Sequence, residues 1–259
     1  TIPANQISQA VIHAKQAGIV AGLPIAQMVF RIVDPSISFT TTLQDGDTIE
    51  HGTVLAQLEG RTQSILLGER LALNLMQRLS GIATLTNKYV EAMGTTTCRI
   101  ADTRKTTPGL RALEKYAVRA GGGANHRFGL YDAVMIKDNH IKGAGSIAQA
   151  VAAARAAIPH TMKIEVEVES DTQLQEAIQS DADIIMLDNM GLERMTQAVK
   201  VIKTAKPHVI VEASGGVNLQ SVGAIVQTGV DVISSGALTS NAGTLDISLD
   251  LYEKKEVLG

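Results

Sequence analysis

The sequence predicts an α/β protein, an open β/α-barrel of about six to seven parallel strands carrying a smaller N-terminal α+β sandwich domain. Three observations carry this expectation. From residue 97 onward, six short β-branched or apolar runs alternate with helix-like segments and no long antiparallel hairpin intervenes, the pattern of a parallel sheet with crossover helices. Each run ends on polar or charged residues, which suits a barrel whose strand ends converge on one mouth. The first 60 or so residues and the tail instead read as β-rich with one helix. The expected division is a sandwich domain over 1–81 plus 243–259 and a barrel domain over 82–242. A doubly wound sheet is the competing architecture, but no GxGxxG follows the first strand.

Composition narrows the class. With 259 residues, 45% hydrophobic and 19% charged, the chain has the make-up of an ordinary globular protein long enough for one large α/β domain or a barrel with an attachment. No apolar run approaches the ~18 residues needed to span a bilayer. The opening TIPANQISQAVIHAKQAG lacks a charged segment followed by an apolar one, so a cytoplasmic protein without a membrane partner is expected. It begins on Thr1 rather than Met, so it is expected to be trimmed or to start late. Cys98 is the single cysteine, which excludes an internal disulfide framework and a multi-cysteine zinc site; packing in a strand is its expected role. A net charge of −3 argues against a nucleic-acid surface.

The elements follow in order. "AVIHAKQAGIVAGL" alternates and turns at Gly18, and "LPIAQMVFRIV" has helical spacing. "ISFTTTLQDGDTIEHGTVLAQLEG" reads as strands around the turn-forming Asp45-Gly46 pair, with "DGDTIEHGTVLAQLEG" as a structural hairpin. Residues 64–93 carry apolar positions at helical spacing, with Arg70 and Arg78 among them. Strands are then expected at "TCRIAD", "AVMIKD", "KIEVEVE", "IIMLDN", "HVIVEASGG" and "DVISSGA". Helices are expected at "IAQAVAAARAAI", "DTQLQEAI", "LERMTQAVKVIKTA" and "LQSVGAIVQTG". In the tail, "LDISLDL" puts Leu245, Ile247, Leu249 and Leu251 on one face, a half-buried strand expected to pair with the N-terminal domain.

The strand ends carry the chemistry. Between Asp102 and Lys142 stand eight cations (Arg104, Lys105, Arg111, Lys115, Arg119, Arg127, Lys137, Lys142) against four acids (Asp102, Glu114, Asp132, Asp138). A local excess of cations in a net-acidic chain points to a small anionic ligand, with a solvated basic face as the bland alternative. Arg104 and Lys105 offer a planar fork and a point charge for carboxylate or phosphate. Gly121, Gly122 and Gly123 permit close backbone approach, and His126 and Arg127 add donors. Lys137 ends an apolar strand, so its head is expected at the mouth. Opposite them, Glu165, Glu167 and Glu169 share one face by the strand period and Asp188 follows on the next strand. Charges on a buried barrel strand need a cation, a metal or a polar ligand, or else form an internal salt-bridge network. Ser214, Gly215 and Gly216 precede a helix expected near Leu219, whose N-terminal N–H groups suit a phosphate, and "SSGA" at 234–237 supplies a second such strand end.

In this order, "ADTRKTTPGLR", "GGGANHRFGLYDAVMIKDNH", "IEVEVES", "MLDNM", "EASGGVN" and "GALTS" resemble quinolinate phosphoribosyltransferase, and the likeness extends through "AGIVAGLPIA", "GERLALNLMQRLSGIAT" and the tail. The resemblance implies transfer of phosphoribose from phosphoribosyl pyrophosphate to quinolinate with decarboxylation, giving nicotinate mononucleotide for NAD synthesis, with Mg2+. It implies that Thr103, Arg104, His126, Arg127 and Lys137 bind the two quinolinate carboxylates, and that Arg70 reaches the site of a second subunit in a homodimer or a hexamer. Lys105 and Lys137 are then expected at the pyrophosphate or the reacting centre, and Glu167 and Asp188 on ribose hydroxyls and the metal. Ser214, Gly215 and Gly216, with Ser235, Gly236 and Ala237, are expected on a phosphate. Ser240 stands where the family usually has His, and the family usually carries a further segment ahead of Thr1. The residues alone leave three alternatives: a phosphoribosyltransferase for another pyridine or aromatic carboxylate, a Schiff-base aldolase-type barrel using Lys105 or Lys137, and a barrel sensing phosphorylated metabolites.

Overall fold

The computed structural model describes residues 1–253, so the part of the expected sandwich domain at 254–259 lies outside the described residues. The chain divides into two compact units, one of Thr1–Asn87, Ala112–Gly122 and the residues from Asn241, the other of Lys88–Arg111 and Gly123–Ser240. Of the range 82–242 expected for the barrel, residues 82–87, 112–122 and 241–242 pack in the first unit.

The first unit opens with β1 (Ile7–Ala14) and β2 (Gly18–Ile19), then α1 (Leu23–Val33), β3 (Ser38–Thr40), β4 (Thr48–Ile49), β5 (Val54–Arg61) and the long α2 (Thr62–Met93), whose end from Lys88 belongs to the second unit. It also contains most of α3 (Arg111–Ala120), a helix the sequence did not announce, and the final strand β12 (Ile247–Glu253). A four-stranded antiparallel sheet runs in the order β12-β1-β5-β3. Alternation along β1 sends Ala10, Ile12 and Ala14 inward, where Ile247 of β12 and Leu55 and Leu58 of β5 join them. α1 supplies Leu23, Ala26, Val29 and Phe30 to the same core at three- and four-residue spacing. Its first amides are capped from a distance: Gly22 and Leu23 N–H donate to the Asp45 carboxylate at 2.8 and 3.0 Å, supplying the acceptors a helix start lacks. The hairpin expected over 45–60 does not form. β3 pairs with β5, while β4 leaves to make a separate two-stranded sheet with β2, because the Asp45 side chain is committed to the start of α1.

The second unit holds β6 (Arg99–Ala101), β7 (Val134–Ile136), α4 (Asp138–Ala144), α5 (Ile147–Ala157), β8 (Ile164–Val168), α6 (Asp171–Gln179), β9 (Ile184–Asp188), α7 (Leu192–Ala205), β10 (Ile210–Ser214), α8 (Val222–Val226), β11 (Val232–Ser234) and α9 (Ala237–Ser240). Its six strands form one parallel sheet in the order β6-β11-β10-β9-β8-β7, the open β/α-barrel expected. Ala124 makes a further parallel bridge to Ala101, so the segment before His126 acts as a partial seventh strand beside β6. The strand period sorts the residues of β8, β9 and β10. Ile164, Val166, Val168, Ile185, Leu187, Val211 and Ala213 are fully buried on one face, and Glu165, Glu167, Asp188, Glu212 and Ser214 alternate with them on the other. Ser146 and Ser170 cap α5 and α6 by accepting the Gln149 and Gln173 N–H at 3.1 and 3.2 Å. Cys98, just before β6, is buried, and burial pushes its thiol up to about 11, which suits packing rather than reactivity. Among the described residues, no helix is long and apolar enough to cross a membrane.

Candidate active site

At the carboxyl ends of the strands, two segments meet on the cation side. Thr103 Oγ1 accepts the Lys105 N–H at 3.1 Å, and the Thr239 hydroxyl donates to the Lys105 carbonyl at 2.7 Å. A Cβ placed on Gly236 would lie 3.0 Å from Lys105 Cδ and 3.4 Å from Thr103 Oγ1, so the turn after β11 lies close against the turn after β6. Ser235 is buried and its Oγ accepts the Ala237 N–H at 3.3 Å. The Ser240 hydroxyl donates to the Gly236 carbonyl at 3.0 Å. The side chains of Arg104 and Lys105 are exposed here.

The acid side is built from β8, β9 and β10. The Lys137 ammonium pairs with Glu167, so these two expected site residues are brought together. Carboxylate oxygens of Glu167, Glu169 and Asp188 all lie within 4.8 Å of one another. Asn189, in the left-handed region at φ 50, donates its side-chain amide to Asp188 Oδ2 at 2.6 Å and its backbone N–H to the Ser214 carbonyl at 2.9 Å. Gly215, at φ +87, lies so close that an added Cβ would stand 2.3 Å from Asn189 Oδ1. The turns after β9 and β10 are thus locked together, and they hold Asp188 and Ser214 side by side in register. The helix expected near Leu219 begins later, at Val222. Asn218 Oδ1 takes the Gln220 and Ser221 N–H groups at 3.0 Å each, so those amides serve a local turn. Gly215 and Gly216, both at positive φ (87 and 64), precede that turn at the strand end.

His126 lies elsewhere than expected. Its ring is 12% exposed, with Nε2 3.1 Å from Glu165 Oε2 and 3.5 Å from Glu212 Oε1, while Nδ1 accepts the Arg127 N–H at 2.7 Å. Both ring nitrogens are therefore engaged inside the protein rather than offered at the mouth. Burial opposes a charge on this ring, but hydrogen bonding and attraction from Glu165 and Glu212 outweigh it and raise its pKa to about 10. A charged ring would carry hydrogen on Nδ1 as well, whereas the Arg127 N–H needs a lone pair there, so the geometry is that of a neutral ring with hydrogen on Nε2 alone; in either state Nε2–H faces the acids. Glu165 is raised above the usual carboxylate range by burial, with the Glu212 charge adding to the effect. These groups line a cavity of about 330 Å³ together with Arg99, Lys163 and Arg127. Its wall also includes the first residues of β7, β9, β10 and β11, which places it at the amino end of the barrel interior, below the mouth.

Arg127 links the two levels. Burial lowers its pKa and the nearby Arg104 charge adds to that, while Glu165 and Asp132 oppose both; its Nη1 donates to the Ala133 carbonyl at 3.1 Å. Arg70 belongs to the first unit, where it is 72% exposed with Glu69 3.9 Å away. Three residues without a role in the sequence reading also shape the site. Asp102 is fully buried and accepts the Asn125 side-chain amide at 2.6 Å and the His126 N–H at 2.9 Å. Glu212 approaches His126, and Asn189 orients Asp188. Glu212 was within reach of the period-two argument, since it shares a face with Ser214. Asp102 and Asn189 act through backbone conformation, which a strand period does not carry.

Residues 1–80 match the family model for the quinolinate phosphoribosyl transferase N-terminal domain, and residues 82–250 match that for the C-terminal domain. A probable nicotinate-nucleotide pyrophosphorylase (carboxylating) of Synechocystis is 50% identical over 92% of this chain and 81% of its own. Quinolinate phosphoribosyltransferase (decarboxylating) 1b of Nicotiana tabacum is 41% identical over 97% of this chain and 75% of its own. The crystal structure of NadC from Streptococcus pyogenes superposes with a TM-score of 0.93 at 43% identity, covering 97% of this chain and 88% of that one. The chain belongs to the quinolinate phosphoribosyltransferase family.

Proposed function

We propose that this protein transfers the phosphoribosyl group of phosphoribosyl pyrophosphate to quinolinate, with loss of the 2-carboxylate, giving nicotinate mononucleotide, CO2 and pyrophosphate in NAD synthesis. The observation that carries this reading, beside family membership, is the sorting of charge at the barrel mouth. Arg104, Lys105 and Arg127 stand on the β6 side, and Glu167 and Asp188 end β8 and β9. Displacement at the anomeric carbon builds positive charge on the sugar while pyrophosphate departs with growing negative charge. Carboxylates beside the ribose and lysines beside the leaving group stabilise those two developments.

Arg104 and Arg127 orient the dianionic pyridine so that its ring nitrogen faces the anomeric carbon, planar forks on planar carboxylates. Lys137, in its ion pair with Glu167, and Lys105, beside Gly236, take the anionic end of the second substrate. Ser214, Gly215 and Gly216, with Ser235, Gly236 and Ala237, hold its 5′-phosphate through backbone N–H and hydroxyl donors. The all-carboxylate set of Glu167, Glu169 and Asp188 suits Mg2+, which when bound neutralises the charge of the pyrophosphate. Once the ring nitrogen is alkylated it is cationic, and it stabilises the carbanion left at carbon 2 as CO2 departs.

The homodimer belongs to the same proposal. α1 and α2 expose apolar pairs one turn apart, Met28 with Ile32 and Leu67 with Leu71, with Ile32 77% and Leu67 76% exposed beside the equally exposed Arg70. A second copy covering that surface would bury it and receive Arg70 into its own site. The cytoplasm remains the proposed compartment. The Schiff-base alternative finds no support, because Lys137 is held by a carboxylate and Lys105 is exposed, whereas such lysines are activated in apolar or cationic surroundings.

A spectroscopic assay with quinolinate, nicotinate and nicotinamide side by side tests the substrate. Mononucleotide from quinolinate alone is expected; preferential turnover of nicotinate would replace it with a monocarboxylate reading. Mixing Arg70→Ala with Arg127→Ala subunits should restore part of the lost activity through one intact hybrid site, and no recovery despite confirmed subunit exchange would remove the shared site.

A further inference from the structure

Inside the barrel, below the mouth, Glu165 and Glu212 are 98 and 97% buried and face one imidazole. Two charges in such a place are costly, and each has an oxygen without a hydrogen-bond partner, Oε1 in both. With His126 they resemble a three-ligand metal centre, their donor atoms lying within 4.8 Å of one another. The ring argues against that. A metal on Nε2 would require Nδ1 to carry the hydrogen, and Nδ1 instead accepts the Arg127 N–H at 2.7 Å. Nε2–H therefore points at the acids, and the acids set the plane of the ring.

What the ring sets in turn is Arg127. The Arg127 N–H ends on Nδ1, and the His126 N–H and Asn125 amide end on the buried Asp102. Segment 125–127 is thus pinned on one side to the end of β6 and on the other to the acids of β8 and β10. The Glu165 charge also acts directly on the Arg127 guanidinium, offsetting burial and the Arg104 charge. The sequence reading gave Glu165 no part in substrate binding and Glu212 no part at all.

We propose that Glu165 and Glu212 are positioning residues for the pyridine dicarboxylate: by fixing the His126 ring they hold Arg127 in place to grip a substrate carboxylate. The assignment rests on the proposed function, in which Arg127 is a carboxylate-binding group. It makes the buried acids part of substrate recognition without any contact between them and the substrate.

The test is a double-mutant cycle read in KM. Glu212→Gln keeps size and shape and removes the charge that holds the ring. It should raise the KM for quinolinate about tenfold, as a displaced orienting group does, while the KM for phosphoribosyl pyrophosphate stays within about twofold. Arg127→Lys should raise the quinolinate KM as well. Combining the two should raise it no further than the larger single effect, since a displaced fork cannot be lost twice. Glu165→Gln carries the same expectation, and calorimetric binding of quinolinate to either variant gives a readout independent of turnover if one of them folds poorly. An unmoved quinolinate KM with a lowered melting temperature would make the acids structural only and overturn the inference, as would effects that multiply in the double variant. Wild-type turnover of quinolinate separates the cases: its absence overturns the functional reading and this inference together, its presence with an unmoved KM overturns this inference alone.

Discussion

Buried carboxylates occur in both units, and they are treated differently. In the first unit, Asp34 accepts the Ser36 N–H and hydroxyl at 3.0 and 2.6 Å, the Ser64 hydroxyl at 2.8 Å and Arg61 Nε at 2.8 Å. Glu114, fully buried, takes Arg78 Nη2 and Nε on one oxygen at 2.8 and 3.1 Å, and Arg78 Nη1 continues to the Ala242 carbonyl at 2.8 Å. In the second unit Asp102 is likewise paired on both oxygens, but Glu165 and Glu212 share a single imidazole and keep one oxygen each without a hydrogen bond. The difference separates two uses of buried charge. A carboxylate that holds chain segments together is saturated by them, because each unpaired oxygen costs stability. A carboxylate that serves a site tolerates incomplete pairing, and other interactions elsewhere in the fold offset the cost.

That contrast breaks or sharpens with substitutions on either side, beginning with the largest effect. Arg104→Ala removes an exposed side chain and keeps the backbone carbonyl that accepts the Thr106 N–H and Arg111 Nη2 at 3.0 and 3.1 Å. Loss of a charge-assisted contact to a carboxylate should lower kcat/KM for quinolinate by roughly 30- to 100-fold, with a melting temperature unchanged within about 2 °C. Steady-state kinetics and thermal denaturation on the same preparation check both halves. A large stability loss with unchanged kinetics would place Arg104 among the structural charges.

Glu114→Gln should do the reverse. Breaking a buried pair by removing one charge typically costs about 3 kcal/mol or more, and the partial exposure of Arg78, 24%, reduces that to about 2 kcal/mol. The melting temperature should fall by about 4–8 °C, with the quinolinate KM unaltered. A changed KM without a stability loss would erase the distinction between the units.

How far the site was legible follows the same line. The parallel strands, their polar ends and the pairing of the tail were readable because a period of two and a run of β-branched residues survive any tertiary context. That Lys137 and Glu167 meet was implied by opposite charges at neighbouring strand ends. The retreat of His126 into the barrel was not legible, since nothing in "ANHRFG" shows which way a ring turns; Asp102 and the acids of β8 and β10 decide it from distant positions. The departure of β4 from its expected hairpin was hidden for a similar reason. Asp45 accepts the first amides of α1 and also the Tyr116 hydroxyl at 2.6 Å, and neither contact leaves a mark in the local pattern. α3 escaped notice because its buried face includes Glu114 and Lys115, charged residues that a search for apolar spacing counts as exposed.

The smallest expected effect concerns acid stability, and there the two kinds of carboxylate should differ in sign. Hydrogen bonds from Ser36 and Ser64, with Arg61, hold the Asp34 carboxyl well below the usual carboxylate range. A folded-state pKa lower than that of the unfolded chain, about 3.9 for Asp, contributes stability that is fully present above that value and is lost as pH falls toward the folded pKa. The gap in melting temperature between wild type and Asp34→Asn should therefore be constant from pH 7 to about 5 and narrow progressively below about 4. Glu165 should behave oppositely, because burial and the Glu212 charge raise it. Its folded state holds a proton that the unfolded chain has released, so its contribution declines as pH rises from about 4.3 through the folded value, and Glu165→Gln should gain relative to wild type over that interval. Melting curves of the two variants and wild type from pH 3 to 8 decide the matter: parallel displacement of both variants across the range would mean that saturation by hydrogen bonds does not distinguish the structural acid from the positioning one.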